Sequence, residues 1–134
     1  MGAKNKRDVW LSAHLRTHEI ERSITARIHG IDNRIPINAL TIRRLYLMAA
    51  RFEEIRAVLG GHALVITSGY RCGELNAITP GAAKNSHHRQ LLALDIRPQI
   101  SVKKAMALVL EMPSVSYAYR NSFRSLHVQW EDVF

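Results

Sequence analysis

Apolar residues recur along the chain at two spacings, and the change from one to the other divides it. Across residues 17–30, Ile20, Ile24 and Ile28 stand four apart, which predicts one face of one or two short helices that Gly30 stops. Residues 31–36 read as a connecting loop. After Pro36, Leu40, Leu45, Met48, Phe52, Ile55 and Leu59 follow mostly at three- and four-residue intervals until Gly60 and Gly61, which predicts the longest helix. Residues 62–67 (HALVIT) are apolar and branched between glycines, the mark of a buried strand. Residues 72–90, with Gly73, Pro80, Gly81, Asn85 and Ser86, show little period and read as a loop. Leu92, Leu94 and Ile96 then alternate with Ala93 and Asp95, so Asp95 is expected on the strand face opposite Leu94 and Ile96. Ser101 is a suitable N-cap for a helix through Val102, Ala105, Met106, Val109 and Leu110, which Pro113 ends. Residues 115–119 and 126–130 are β-prone and predict a closing hairpin. Helices first and strands later give an α+β class, with helices packed on an antiparallel sheet.

Composition narrows this without changing it. A chain of 134 residues, 47% hydrophobic and 22% charged, is expected to be one domain with one core rather than disordered or fibrous. It contains no apolar run long enough for a membrane span, and its basic start leads into no signal-peptide core, so synthesis in the cytosol without an export signal is expected. Lys6 stands where a myristoylation site wants Ser or Thr. Cys72, the only cysteine, excludes an internal disulfide and a thiolate-rich metal site. Any metal must be held by histidine and carboxylate. The net charge of +8 suits a polyanionic partner such as nucleic acid, anionic lipid or cell-wall polymer. The basic residues are scattered from Lys4 to Arg124, with no run longer than adjacent pairs such as Arg43–Arg44 and Lys103–Lys104, which counts against nucleic acid.

Of the seven histidines, His14, His18, His29 and His62 fit surface or capping positions. His88 differs. It ends a polar loop seven residues before Asp95, so the chain can bring imidazole and carboxylate to one point. His127 lies within the apolar strand-like run SLHVQW, where burial is costly unless the ring is hydrogen-bonded or metal-bound. The three together could form a zinc site with an open position; satisfied core histidines remain the alternative.

The stretches ITSGYRCGELN, NSHHRQLLALD and LHV resemble the M15 family of zinc D,D-peptidases and peptidoglycan endopeptidases, especially its short bacteriophage members. The likeness extends to LSAHLRTHEIERSITARIHGIDN and to the helix ending IRAVLGG. It implies a hedgehog/D,D-peptidase-like fold, a Zn2+ cofactor held by His88, Asp95 and His127, and water activated for attack on an amide of peptidoglycan. It makes Arg71 the binder of a stem-peptide carboxylate, a task suited to a guanidinium fork, and Ser86 its hydrogen-bonding neighbour. The implied setting is synthesis in a host cytoplasm and action at the cell wall, as a lysin or a virion-borne hydrolase.

The sequence also departs from that pattern. Leu91 replaces the motif glycine, which implies a narrowed or reshaped cleft. His87 stands for a common glutamine, and PGAAKN for a Gly-Gly turn. The positions where the family carries its acidic base are Arg124 and Gln129, and neither side chain can take a proton from the attacking water at neutral pH. Glu131, on the same strand face as His127, and Glu74, in the loop after Arg71, are the candidate substitutes. Two functions follow: a zinc peptidase of wall peptides, or a weak or inactive relative with a structural or wall-binding role in a virion.

Overall fold

The computed structural model describes residues 8–133, and its architecture is the expected α+β. A short antiparallel hairpin, β1 (Trp10–Ser12) and β2 (Leu15–Arg16), precedes α1 (Thr17–Glu21), α2 (Ile24–Ile28) and the long α3 (Ala39–Val58). Then come β3 (Val65–Ser68), α4 (Gly73–Ile78), β4 (Ala93–Arg97), α5 (Val102–Leu110), β5 (Tyr117–Arg120) and β6 (Leu126–Gln129). The last four strands form one sheet in the order β3-β4-β6-β5, antiparallel throughout. Among the described residues no helix is long and apolar enough to cross a membrane.

Local chemistry starts and stops the helices. Asn38 caps α3 by accepting the Thr41 amide at 3.0 Å, while the Thr41 hydroxyl accepts the Asn38 amide. At its other end Gly60 and Gly61 take positive φ of 102° and 75°, and the Gly61 amide closes on the Arg56 carbonyl. Ser101 caps α5, as expected, by accepting the Lys104 amide.

The spacing argument fails in two instructive places. Ile20 is fully buried, but Ile24 and Ile28 are 70% and 74% exposed. The backbone is extended at Arg22 and Ser23, where Ser23 accepts the Ala26 amide and starts a new helix. That break resets the helical phase, so Ala26 rather than the isoleucines faces inward. Leu40, in the first turn of α3, is likewise exposed, while Leu45, Met48, Phe52, Ile55 and Leu59 are buried as the period demands. The loop expected over residues 72–90 contains α4, six residues long and opened by Cys72, whose sulfur accepts the Leu75 amide at 3.4 Å. A helix of that length carries too few apolar repeats to show a period.

The sheet has two chemically distinct faces. Ile66 pairs with Ile96, Ile96 with Leu126, Leu94 with Val128 and Val128 with Ala118, and all six are buried. They join α3 and α5 side chains in the core. The alternate residues form the other face, where Ser68, Asp95, His127 and Tyr119 lie in one row across β3, β4, β6 and β5.

Leu91 adopts the left-handed conformation, φ 60°, which glycine tolerates without strain and leucine does not. Its side chain turns into the core, 1% exposed, and does not line the groove beside the site. Leu91 therefore does not itself project into that groove. For leucine this conformation costs about 1–2 kcal/mol, whereas removing a buried leucine costs about 2–5 kcal/mol. Leu91→Gly should consequently lower stability by about 2 kcal/mol in urea unfolding. A more stable variant would mean that backbone strain outweighs packing here.

Candidate metal centre

Three segments deliver the cluster. Asp95 and His127 are direct partners across β4 and β6, where opposed Cβ atoms lie about 4.5–5.5 Å apart. His88 comes from the loop before β4, which several bonds hold in place. Its carbonyl accepts the Arg71 amide, its amide donates to Ser86 Oγ at 3.1 Å, and the Leu92 amide donates to the His87 carbonyl.

The three ligand atoms converge. His88 Nε2 lies 3.1 Å from Asp95 Oδ1 and 3.3 Å from His127 Nδ1, and His127 Nδ1 lies 2.9 Å from Asp95 Oδ1. Ligands about 2.0–2.1 Å from a tetrahedral zinc stand about 3.3 Å apart, so these spacings suit such an ion. The outer nitrogens identify the tautomers. His88 Nδ1 is 2.7 Å from the Gly69 carbonyl, which only accepts, and His127 Nε2 is 2.8 Å from Gln129 Oε1. Each neutral ring thus donates outward and turns a lone pair inward, toward a carboxylate that also has only lone pairs. Such a point is electrostatically satisfied by a cation. It is the one three-ligand cluster of His, Cys, Asp or Glu among the described residues.

The electrostatics agree. Burial works to raise the Asp95 pKa; whenever His127 or His88 instead carries a proton on its inward nitrogen, its hydrogen bond and charge outweigh burial and hold the carboxyl at about 2. Tyr119 stacks on His127, ring centroids 4.7 Å apart, and its phenol is pushed up by burial and then by Asp95, so it stays protonated at neutral pH. Arg71 is half-buried. Its Nη2 donates to Ser86 Oγ at 2.9 Å, and its Nε is enclosed with no acceptor among the described residues. Burial pulls its pKa down, and the charges of Asp95 and then Tyr119 offset this only in part.

Beside the cluster runs a groove of about 1070 Å³ lined by Asp95, Arg71, Ser68 and Tyr70 and walled by residues of α1, α2 and β3. His88, Asp95, His127, Arg71 and Ser86 are thus gathered as the sequence suggested. Glu131 is not: it is exposed beyond the end of β6, lines no part of the groove, and its side chain bonds to no described residue. Glu74 is exposed on α4 and also lies outside the lining. Gln129 sits behind the His127 ring, on the side away from Nδ1, and its amide reaches His87 Nε2 at 3.3 Å.

Some contributors escaped the sequence reading. The alternation in YAYR could have placed Tyr119 beside His127, given the hairpin register. The sequence marked Gly69 only as the end of a strand and part of a motif, not as the point where a Cβ would come within 2.6 Å of the Ile20 carbonyl oxygen. Asn33 was equally hidden: it is buried, donates to the Glu21 and Tyr70 carbonyls at 2.9 Å each, and accepts the Cys72 amide at 2.8 Å.

A model of the family described as Peptidase M15 matches residues 13–129 of the chain. Comparison with curated proteins and with solved structures gives no significant match.

Because α1 packs directly on the Gly69 backbone, whose carbonyl holds His88, Gly69→Ala must push the two apart. Overpacking of this kind costs about 1–3 kcal/mol. The variant should melt lower and bind divalent metal more weakly, as read by calorimetry. Unchanged values for both would show that the close approach is not needed.

Proposed function

Starting from the fact that the chain belongs to the peptidase M15 family, we propose that it is a zinc-dependent peptidase of peptidoglycan stem or cross-link peptides. The observation that carries this reading is the inward convergence of His88 Nε2, Asp95 Oδ1 and His127 Nδ1, with the outer nitrogen of each imidazole already bonded. Two imidazoles and one carboxylate are a donor set that borderline-soft Zn(II) accepts, with a fourth position left for water or substrate. When bound, zinc supplies Lewis acidity and lowers the pKa of a water at that position to about 7.

The chain's own residues do the rest. Gly69 and Gln129 hold the two histidines in the ligating tautomer, and Asp95 stays ionised over the whole physiological range. Arg71, steadied by Ser86, presents its enclosed and under-compensated guanidinium to the groove. A carboxylate of a stem peptide docked there would restore its charge balance and set the neighbouring amide over the cluster. Tyr119, protonated and stacked on His127, shields that ring. The resemblance to short bacteriophage enzymes supports a place in wall opening during lysis or virion entry.

One observation favours slow turnover. Among the described residues, the one carboxylate lining the groove besides Asp95 is Glu21, whose Oε2 is engaged by the Ile35 amide at 2.6 Å. A positioned proton acceptor is typically worth about 10²–10⁴ in rate, and its lack is what a wall-binding relative of low activity would show.

Zinc content tests the reading directly. The purified protein should hold one equivalent by elemental analysis, and the His88→Ala, His127→Ala double variant none. Gln129→Leu, which removes the acceptor behind His127, should weaken zinc binding by about 10–100-fold. Zinc-free wild type, or full occupancy in the double variant, would end the proposal.

Arg71→Lys should raise the dissociation constant for stem-peptide fragments by about tenfold although charge is kept, because lysine cannot make two parallel bonds. Equal affinities would remove Arg71 from recognition. Glu131→Gln should leave cleavage unchanged; a loss of tenfold or more would instead seat that carboxylate as the base.

A further inference from the structure

The groove beside the cluster is lined by five arginines and only two carboxylates, Glu21 and Asp95. Arg71 accounts for one of these cations. Arg97 stands at another end: it is two residues after Asp95 on β4, hence on the same sheet face and about 7 Å along the strand. Arg97 also lines a second cavity of about 420 Å³, between the start of α5 and the β5–β6 turn. That cavity holds Lys103, Arg120 and Arg124 as well, and no carboxylate.

Of the groove arginines, Arg34 is paired with Asp32 and Arg22 donates to the Ile66 carbonyl at 3.2 Å. Arg120 is committed to the turn, donating to the Ser122 and Phe123 carbonyls at 3.1 and 2.9 Å. The side chains of Arg97, Lys103 and Arg124 make no hydrogen bond or ion pair with any described residue. Like charges gathered without acids repel, and a run of oxyanions laid across them would relieve that repulsion.

We propose that the two cavities form one track for an anionic wall polymer, joined at Arg97, with Lys103 and Arg124 gripping the stretch farthest from the cluster. The inference rests on the peptidoglycan reading and extends it: recognition covers more than the peptide being cut. The track's continuity with the groove that reaches Asp95 and Arg71 favours a wall strand over nucleic acid, because the same strand must present an amide to the cluster. Oxyanions of either kind suit these cations, carboxylates of stem peptides or phosphodiesters of attached polymers.

The test uses the full-length chain and its Lys103→Glu variant, both checked for equal thermal unfolding. Affinity is measured by co-sedimentation with purified walls, intact or stripped of phosphate polymers, and with duplex DNA. Cleavage of a short soluble stem peptide is followed separately. Reversing this exposed charge removes one attraction and adds one repulsion, each worth about twofold, so wall affinity should fall by about fourfold. Its salt dependence should also become shallower, while short-peptide cleavage stays unchanged. A loss confined to intact walls assigns the phosphodiesters, and a loss on both preparations the carboxylates; either supports the track. Unchanged affinity for walls, or a loss seen with DNA alone, overturns it. Should wild type cleave no wall peptide while the variant still loses wall affinity, the peptidase reading falls and the track remains.

Discussion

The antiparallel pairing of β4 with β6 sets Asp95 opposite His127, and the rest of the site is arranged around that pair. Side chains alternate along a strand, so the register that turns Leu94, Ile96, Leu126 and Val128 into the core turns Asp95 and His127 outward together. A slip of one residue on either strand would bury a charged or polar ligand and expose its apolar neighbour. The hydrophobic core therefore enforces the geometry of the ligands. This explains how a short chain holds two ligating atoms 2.9 Å apart without a disulfide.

The third ligand has no such guarantee, since His88 belongs to a loop. Its position is secured by polar contacts from several parts of the chain: Ser86 on its amide, Arg71 on its carbonyl and Gly69 on its ring. Gly69 is in turn pressed by α1, and the Tyr70 amide bonds the Ile20 carbonyl at 2.8 Å. Asn33, in the loop after α2, ties the end of α1 to the segment after β3 by three hydrogen bonds. The N-terminal helices thus act on the site through backbone contacts, although none of their residues is a ligand.

Charge is distributed with the same asymmetry. Around the cluster Asp95 faces two histidines, and in the groove wall Asp32 pairs with Arg34, whereas Arg97, Lys103 and Arg124 have no acidic partner among the described residues. A protein of net charge +8 could have neutralised that surface locally, as Asp132 does for Arg43 and Arg44 elsewhere. That it does not is a property of this face rather than of the composition.

What the sequence determined by itself was whatever depends on near neighbours. The period of α3, the alternation through Asp95, the cap at Ser101 and the spacing of His88, Asp95 and His127 with Arg71 and Ser86 were all legible, because each rests on residues a few positions apart or on a motif. The tertiary structure decided what depends on distant ones. The phase of α2 turned on the break at Arg22 and Ser23, which exposed Ile24 and Ile28 against the pattern. The inward burial of Leu91 turned on a left-handed residue that local propensity argues against. The position of Gln129 behind His127, the distance of Glu131 from the groove lining and the meeting of Arg97 with Lys103 and Arg124 depend on how strands and turns pack. A strand pattern states which face a side chain occupies, but only the folded chain states what stands across from it.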